Sequence, residues 1–104
     1  MRDFIDLEGA SGVHYRYRYW APGAGHLPTA GNYACVREGV TGPVVVAIGV
    51  SPDLSALRAE LSKTPSNADT HVYTRLNVAR VARMAEYEDL AERYGVSGRK
   101  QPAG

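Results

Sequence analysis

Apolar and polar side chains alternate strictly through His14-Tyr15-Arg16-Tyr17-Arg18-Tyr19-Trp20, with Tyr15, Tyr17 and Tyr19 on one face and Arg16 and Arg18 on the other. A period of two is the signature of a β-strand with unlike faces. Ala21 to Thr29 holds Pro22, Gly23, Gly25 and Pro28 and reads as a long loop, so a new strand is expected near Gly31. Asn32 to Glu38 supplies that strand. After the punctuation of Gly39, Thr41, Gly42 and Pro43, the run Val44-Val45-Val46-Ala47-Ile48 supplies its antiparallel partner. An uninterrupted β-branched run implies burial on both faces, which makes this second strand the expected centre of the sheet.

Ser51-Pro52-Asp53 carries helix-start chemistry, with Ser51 as the candidate cap, and Leu54, Leu57 and Leu61 then fall on one helical face. This helix, over about 53–63, is expected to stop by Thr64-Pro65. The polar loop Ser66-Asn67-Ala68-Asp69 leads into a third strand over Thr70 to Leu76, with Val72, Thr74 and Leu76 on one side and His71, Tyr73 and Arg75 on the other. Asn77 is then the candidate cap of a second helix running to Tyr94, with Gly95 as its terminator. Met84, Tyr87, Leu90, Ala91 and Tyr94 share one face of that helix, whereas Val78, Val81 and Ala85 share a neighbouring one.

The expected architecture is α/β, or α+β by another convention: a small, mostly antiparallel sheet of about three core strands flanked by two helices, with an N-terminal β-hairpin extension. The chain divides into an extension at 1–30, a domain at 31–94 and a flexible tail at 95–104. At 104 residues, 44% hydrophobic and 22% charged, it suits one globular core and not a disordered or coiled-coil chain. The longest apolar run, Val44 to Val50, is too short to cross a bilayer, and Met1 to Glu8 is acidic where a signal peptide opens basic. A soluble, cytoplasmic protein with no membrane partner is the expectation. Cys35 stands alone, so packing and not a disulfide must hold the fold.

The formal net charge of +1 gives no global attraction for a polyanion, but its distribution is uneven. Residues 9–84 carry eight basic and four acidic side chains, between acidic segments at 1–8 and 85–94. Within this basic middle, Arg16, Arg18, Arg75, Arg80 and Arg83 are the candidate nucleic-acid contacts. The Tyr-Arg-Tyr-Arg-Tyr strand has two readings: a platform that stacks bases and holds phosphates, or an edge strand that buries its tyrosines and keeps its arginines outside. The second is the plainer. His14, His26 and His71 are scattered, with no Cys-x-x-Cys, which argues against zinc.

Particular residues add a family likeness. Gly31-Asn32-Tyr33, Ala47-Ile48-Gly49, the link Gly49-Val50-Ser51-Pro52-Asp53-Leu54 and the helical Arg83-Met84-Ala85-Glu86-Tyr87-Glu88-Asp89-Leu90 occur in the order strand, strand, helix, strand, helix. Together they make residues 31 to about 94 resemble the GIY-YIG endonuclease-like domain. In that family a tyrosine helps activate water, an arginine steadies the phosphoryl charge and a glutamate holds one divalent metal. The resemblance therefore implies Tyr33, Arg58 and Glu86 or Glu88 as catalytic residues, with Glu86 and Glu88 as the Mg²⁺ ligands. This sequence departs from the family at several of those places. Ala47 stands at the second tyrosine, Leu57 at the arginine with Arg58 one step later, and Tyr87 at the glutamate with Glu86 and Glu88 on either side. Leu61 and Ser62 stand where the family has a histidine, and the closing Pro-x-x-Asn is missing.

The resemblance with these departures implies a module that binds nucleic acid, DNA above all, with impaired or absent nuclease activity. Its rivals are a divergent Mg²⁺-dependent DNA endonuclease, and a structural or interaction module with a protein partner or a second copy of itself. Mg²⁺ is expected only if cleavage survives; otherwise no cofactor is.

Overall fold

The computed structural model describes residues 2–63 and 70–95. The stop at Thr64-Pro65, the loop at 66–69 and the tail beyond Gly95 lie outside the described residues. Among the described residues five strands form one antiparallel sheet: β1 (Phe4–Glu8), β2 (His14–Tyr19), β3 (Gly31–Gly39), β4 (Gly42–Ser51) and β5 (His71–Leu76). A single 3-10 turn, Leu54–Ala56, runs into the short helix α1 (Leu57–Leu61), and α2 covers Arg80–Tyr94. The strand order is β1-β2-β5-β3-β4.

The α+β class holds, but the expected three-strand core is a five-strand sheet. The N-terminal hairpin joins it through Arg18 opposite Thr74 and Tyr19 opposite Tyr73, and so is no appendage. β1 went unread, although Ile5 and Leu7 alternate with Asp6 and Glu8. The β3–β4 hairpin forms as expected, with an irregular register after Cys35. However, β4 is an edge strand and not the sheet centre. Nor is its β-branched run buried on both faces: Val44 is exposed, Val45, Val46 and Ala47 are half-buried, and only Ile48 is buried between the layers that cover the sheet.

Those layers are unequal. On one face Ile5, Leu7, Tyr17, Ala34, Val36, Ile48, Val50 and Tyr73 pack against Tyr87 and Leu90 of α2. Because β1 and β4 lie at opposite edges yet share this cluster, the sheet curls around the helix. On the other face Trp20, Tyr33, Cys35 and Val72 pack against Leu54, Leu57 and Leu61. Burial lifts the Cys35 thiol to about 11, as befits an inert core group.

Capping differs from expectation in two places. Asp53, not Ser51, caps the 3-10 turn by accepting from the Ser55 backbone N–H at 3.0 Å, and Ser51 Oγ instead accepts from the Asp53 N–H. Asn77 caps nothing. α2 begins after Ala79 with no side-chain cap, and the Asn77 amide is drawn into an interior network described below. Gly95 ends α2 in the left-handed region at φ 67°, donating to the Ala91 carbonyl, as a glycine terminator should.

Two acidic side chains of α2 tie the hairpin down. Asp89 accepts from the Ser11 N–H at 2.8 Å, Ser11 Oγ at 2.6 Å and Tyr15 Oη at 2.7 Å. These bonds hold the Asp89 carboxyl below its ordinary range, while burial and then the bond to Asp89 push Tyr15 up to about 12. Gly9 lies so close to this carboxylate that a β-carbon there would collide with it. The second anchor, Glu86, is part of the candidate site.

Candidate functional site

The two motif fragments that suggested a nuclease centre do meet. Tyr33 is directly opposite Gly49 in the β3–β4 register, and the far end of its ring lies where a β-carbon on the glycine would stand. Alternation along β3 sends Tyr33 to the α1 face, where it is 1% exposed among Trp20, Leu54 and Leu57.

Glu86 lies on the other side of the sheet. It is 4% exposed beneath α2, accepting from Tyr17 Oη at 2.8 Å, Arg75 Nε at 2.9 Å and Asn77 Nδ2 at 3.3 Å. Burial first, then the adjacent carboxylate, raise the Tyr17 phenol well above its usual range, so it stays protonated and donating. Asn77 also donates to Asn32 Oδ1, and Asn32 donates to the Arg83 carbonyl. This network explains the buried polar residues of the α2 face. Glu88, two residues on and therefore about 200° around the helix, is exposed. As placed, Glu86 and Glu88 do not fit a Mg²⁺ site, because the acceptor oxygens of one are taken by three donors and the other points elsewhere. Among the described residues no three His, Cys, Asp or Glu side chains gather as a metal site.

Arg58 shares the α1 face with Tyr33 but is spent on a loop. Its guanidinium stacks 4.2 Å over the Trp20 ring and Nη2 donates to the Trp20 carbonyl at 2.7 Å. The structure thus brings Tyr33 and Arg58 to one side of the sheet and separates both from Glu86 and Glu88.

The candidate nucleic-acid arginines divide in the same way. Arg83 is 5% exposed and donates to the Asn77 and Val78 carbonyls, and Arg75 is paired with Glu86. Arg80 is exposed at the start of α2. Arg16 and Arg18 project from the opposite face, as the plainer reading of the alternation expected, while Tyr17 is buried and Tyr15 and Tyr19 half-buried. Their strand is interior to the sheet, however, and β1 is the edge. Arg16 pairs with Asp6 through Nε at 2.9 Å and Nη2 at 3.2 Å, with its guanidinium 5.6 Å from the Phe4 ring. Arg18 has no acidic partner among the described residues.

α1 packs over β3, β4 and Val72 of β5, and among the described residues no helix lies over Arg16 and Arg18 on the rest of this face. The loop after Trp20 rises beside that part and turns it into a basin of about 510 Å³ bounded by Phe4, Arg16, Arg18, His26, Thr74 and Leu76. His26 latches the loop to β5, with Nε2 2.8 Å from Thr74 Oγ1 and Nδ1 3.0 Å from the Leu27 carbonyl. The carbonyl can only accept, so Nδ1 donates to it, and the Thr74 hydroxyl, able to donate or accept, partners Nε2. Trp20 stands edge-on to His26 at 4.9 Å and donates from Nε1 to the Ala24 carbonyl at 2.8 Å. Sequence reading missed Phe4, Trp20, His26 and Thr74. The available signal was that Trp20 continues the arginine side of the alternation.

No family model, no curated protein and no solved structure matches this chain. Among the described residues no helix is long and apolar enough to cross a membrane.

Proposed function

We propose that this chain is a nucleic-acid-binding module on a GIY-YIG-like scaffold that does not cleave what it binds. The observation that carries the reading is the half-open sheet face, where Arg16 and Arg18 stand beside the exposed Phe4 ring with no helix over them among the described residues. Cations interleaved with aromatic surface on an antiparallel sheet are the elements from which single-strand platforms are built. Loss of cleavage follows from the separation of Tyr33 and Arg58 from Glu86, since hydrolysis needs its water-activating and charge-stabilising groups around one phosphate.

The test is binding of labelled single-stranded and duplex DNA followed from 50 to 200 mM salt, beside supercoiled plasmid incubated with Mg²⁺, Mn²⁺ or chelator. One to two phosphate contacts on a single strand predict log K falling with log salt at a slope of about −1. Plasmid should remain supercoiled. Metal-dependent nicking lost in Arg58→Ala would replace this reading with the endonuclease, and salt-insensitive or absent binding would remove nucleic acid altogether. The interaction-module reading draws on Leu76, Val78 and Val81, which are 53%, 72% and 85% exposed at the β5–α2 junction.

A further inference from the structure

We propose that the basin beside Arg18 is a subsite for one unpaired nucleotide of a strand, its base against the apolar wall and its phosphate on the arginine. This rests on the nucleic-acid reading above and adds to it a specific place and a preference for single strands.

Size is the first argument. At about 510 Å³ the basin falls within the roughly 300–1,000 Å³ of small-molecule sites, which is room for a nucleotide and not for a duplex. The second is the wall. Phe4, Leu27 and Leu76, respectively 49%, 61% and 53% exposed, converge on this one depression from β1, the loop and β5. A flat aromatic ligand covers that surface and leaves its polar edge outward. The third is charge. Arg16 is neutralised by Asp6, whereas Arg18 has no acidic partner among the described residues, so the basin offers one uncommitted cation, matched to one phosphate.

The fourth argument is rigidity. The rim is already fixed by the His26 bonds to Thr74 and Leu27, by the Trp20 bond to Ala24 and by Arg58 stacked on the indole. Little ordering is left to be done on binding, which favours affinity from a small contact. A base stacked and paired within a duplex cannot enter, because its faces and its Watson–Crick edge are occupied. Single-strand preference is therefore a consequence of the shape.

Trp20 is the only tryptophan in the chain and lines the basin, so its emission reports occupancy. The experiment titrates the full chain with an eight-nucleotide single strand, a blunt duplex of the same length and a 5′-mononucleotide, reading Trp20 fluorescence and anisotropy of labelled DNA together. The single strand should shift Trp20 emission and bind at least about tenfold more tightly than the duplex, and the mononucleotide should compete with it. Arg18→Ala should weaken single-strand binding about tenfold, whereas Arg93→Ala, an equal charge loss at the far end of α2, should change it less than about threefold. Both residues are exposed, so unchanged thermal unfolding confirms that the variants fold.

Equal binding of strand and duplex with silent Trp20, and no difference between the two variants, would overturn the subsite while leaving nucleic-acid binding intact. A mononucleotide that binds when no strand does would overturn the assignment to a strand. Absence of binding by every probe at low salt would remove both the subsite and the reading beneath it.

Discussion

Gly49→Ala isolates the packing of Tyr33 from any chemistry of its hydroxyl. The added methyl would collide with the far end of the Tyr33 ring, its Cε1, Cζ and Oη. An exposed tyrosine would swing aside, but this one is 1% exposed and walled in by Trp20, Leu54 and Leu57. Overpacking of this kind costs roughly 1–3 kcal/mol. Against it stands about 0.4–1 kcal/mol gained when alanine replaces a glycine whose backbone it can share, and Gly49 is not among the positive-φ glycines. A net loss near 1.3 kcal/mol corresponds to a fall in Tm of roughly 6 °C for a chain of this length.

Tyr33→Leu removes all three colliding atoms while keeping an apolar side chain in the site. In that background the alanine should be neutral, or stabilising by up to about 1 kcal/mol. The four proteins form a double-mutant cycle read by urea or thermal unfolding, with an expected coupling of about 2 kcal/mol against the roughly 0.3–0.5 kcal/mol scatter of independent sites. Additive effects, or a Gly49→Ala protein as stable as its parent, would refute the reasoning. They would mean that the ring is free to move.

Glu86→Ala strips the acceptor from Tyr17, Arg75 and Asn77 and should cost roughly 2–4 kcal/mol in urea unfolding, with Mg²⁺ changing neither protein. A fully stable variant would remove Glu86 from its anchoring role. Asp89 makes stability pH-dependent in a stated direction. Its folded carboxyl titrates below the ordinary 3.8, so its contribution is present above that value and lost as pH falls through the folded one. Asp89→Asn should therefore flatten the acid limb of Tm against pH, and an unchanged limb would count against the latch on Ser11 and Tyr15.

Local order was the legible part of this sequence. The β3–β4 hairpin, β5 with its two faces, the core stripe of α2 and the stop at Gly95 all follow from periodicity and from residues acting within a few positions of themselves. What stayed hidden was lateral and long-range. Val44 to Ile48 read as a strand buried on both faces at the sheet centre, whereas β4 lies at the edge and only Ile48 of that run is buried. Asn77 has the right chemistry for a cap, yet an acceptor on Asn32 claimed its amide. Glu86 and Arg83 look like solvated helix charges, and only the tertiary placement of Tyr17, Arg75 and the Asn77 carbonyl makes their burial tolerable. The candidate nuclease residues were chosen by position along the chain, whereas side-chain alternation on β3 decides which face each one meets.

The seam between β2 and β5 has a kinetic consequence. It pairs Arg18 with Thr74 and Tyr19 with Tyr73 and is extended by the Trp20 N–H donating to the Val72 carbonyl at 2.9 Å, whereas β3 runs unbroken beside β5 from Gly31–Leu76 to Val36–His71. Opening there, once the Asp89 and Glu86 bonds to Ser11, Tyr15 and Tyr17 also part, releases the N-terminal hairpin while β3, β4 and β5 keep their ladder, so amide exchange should divide into a less protected unit before Trp20 and a more protected one after it. Arg18 and Thr74 both border the basin, which therefore straddles the joint. Whatever seats itself across them selects the docked molecule, and its apparent affinity falls with every fraction of time that the hairpin spends detached.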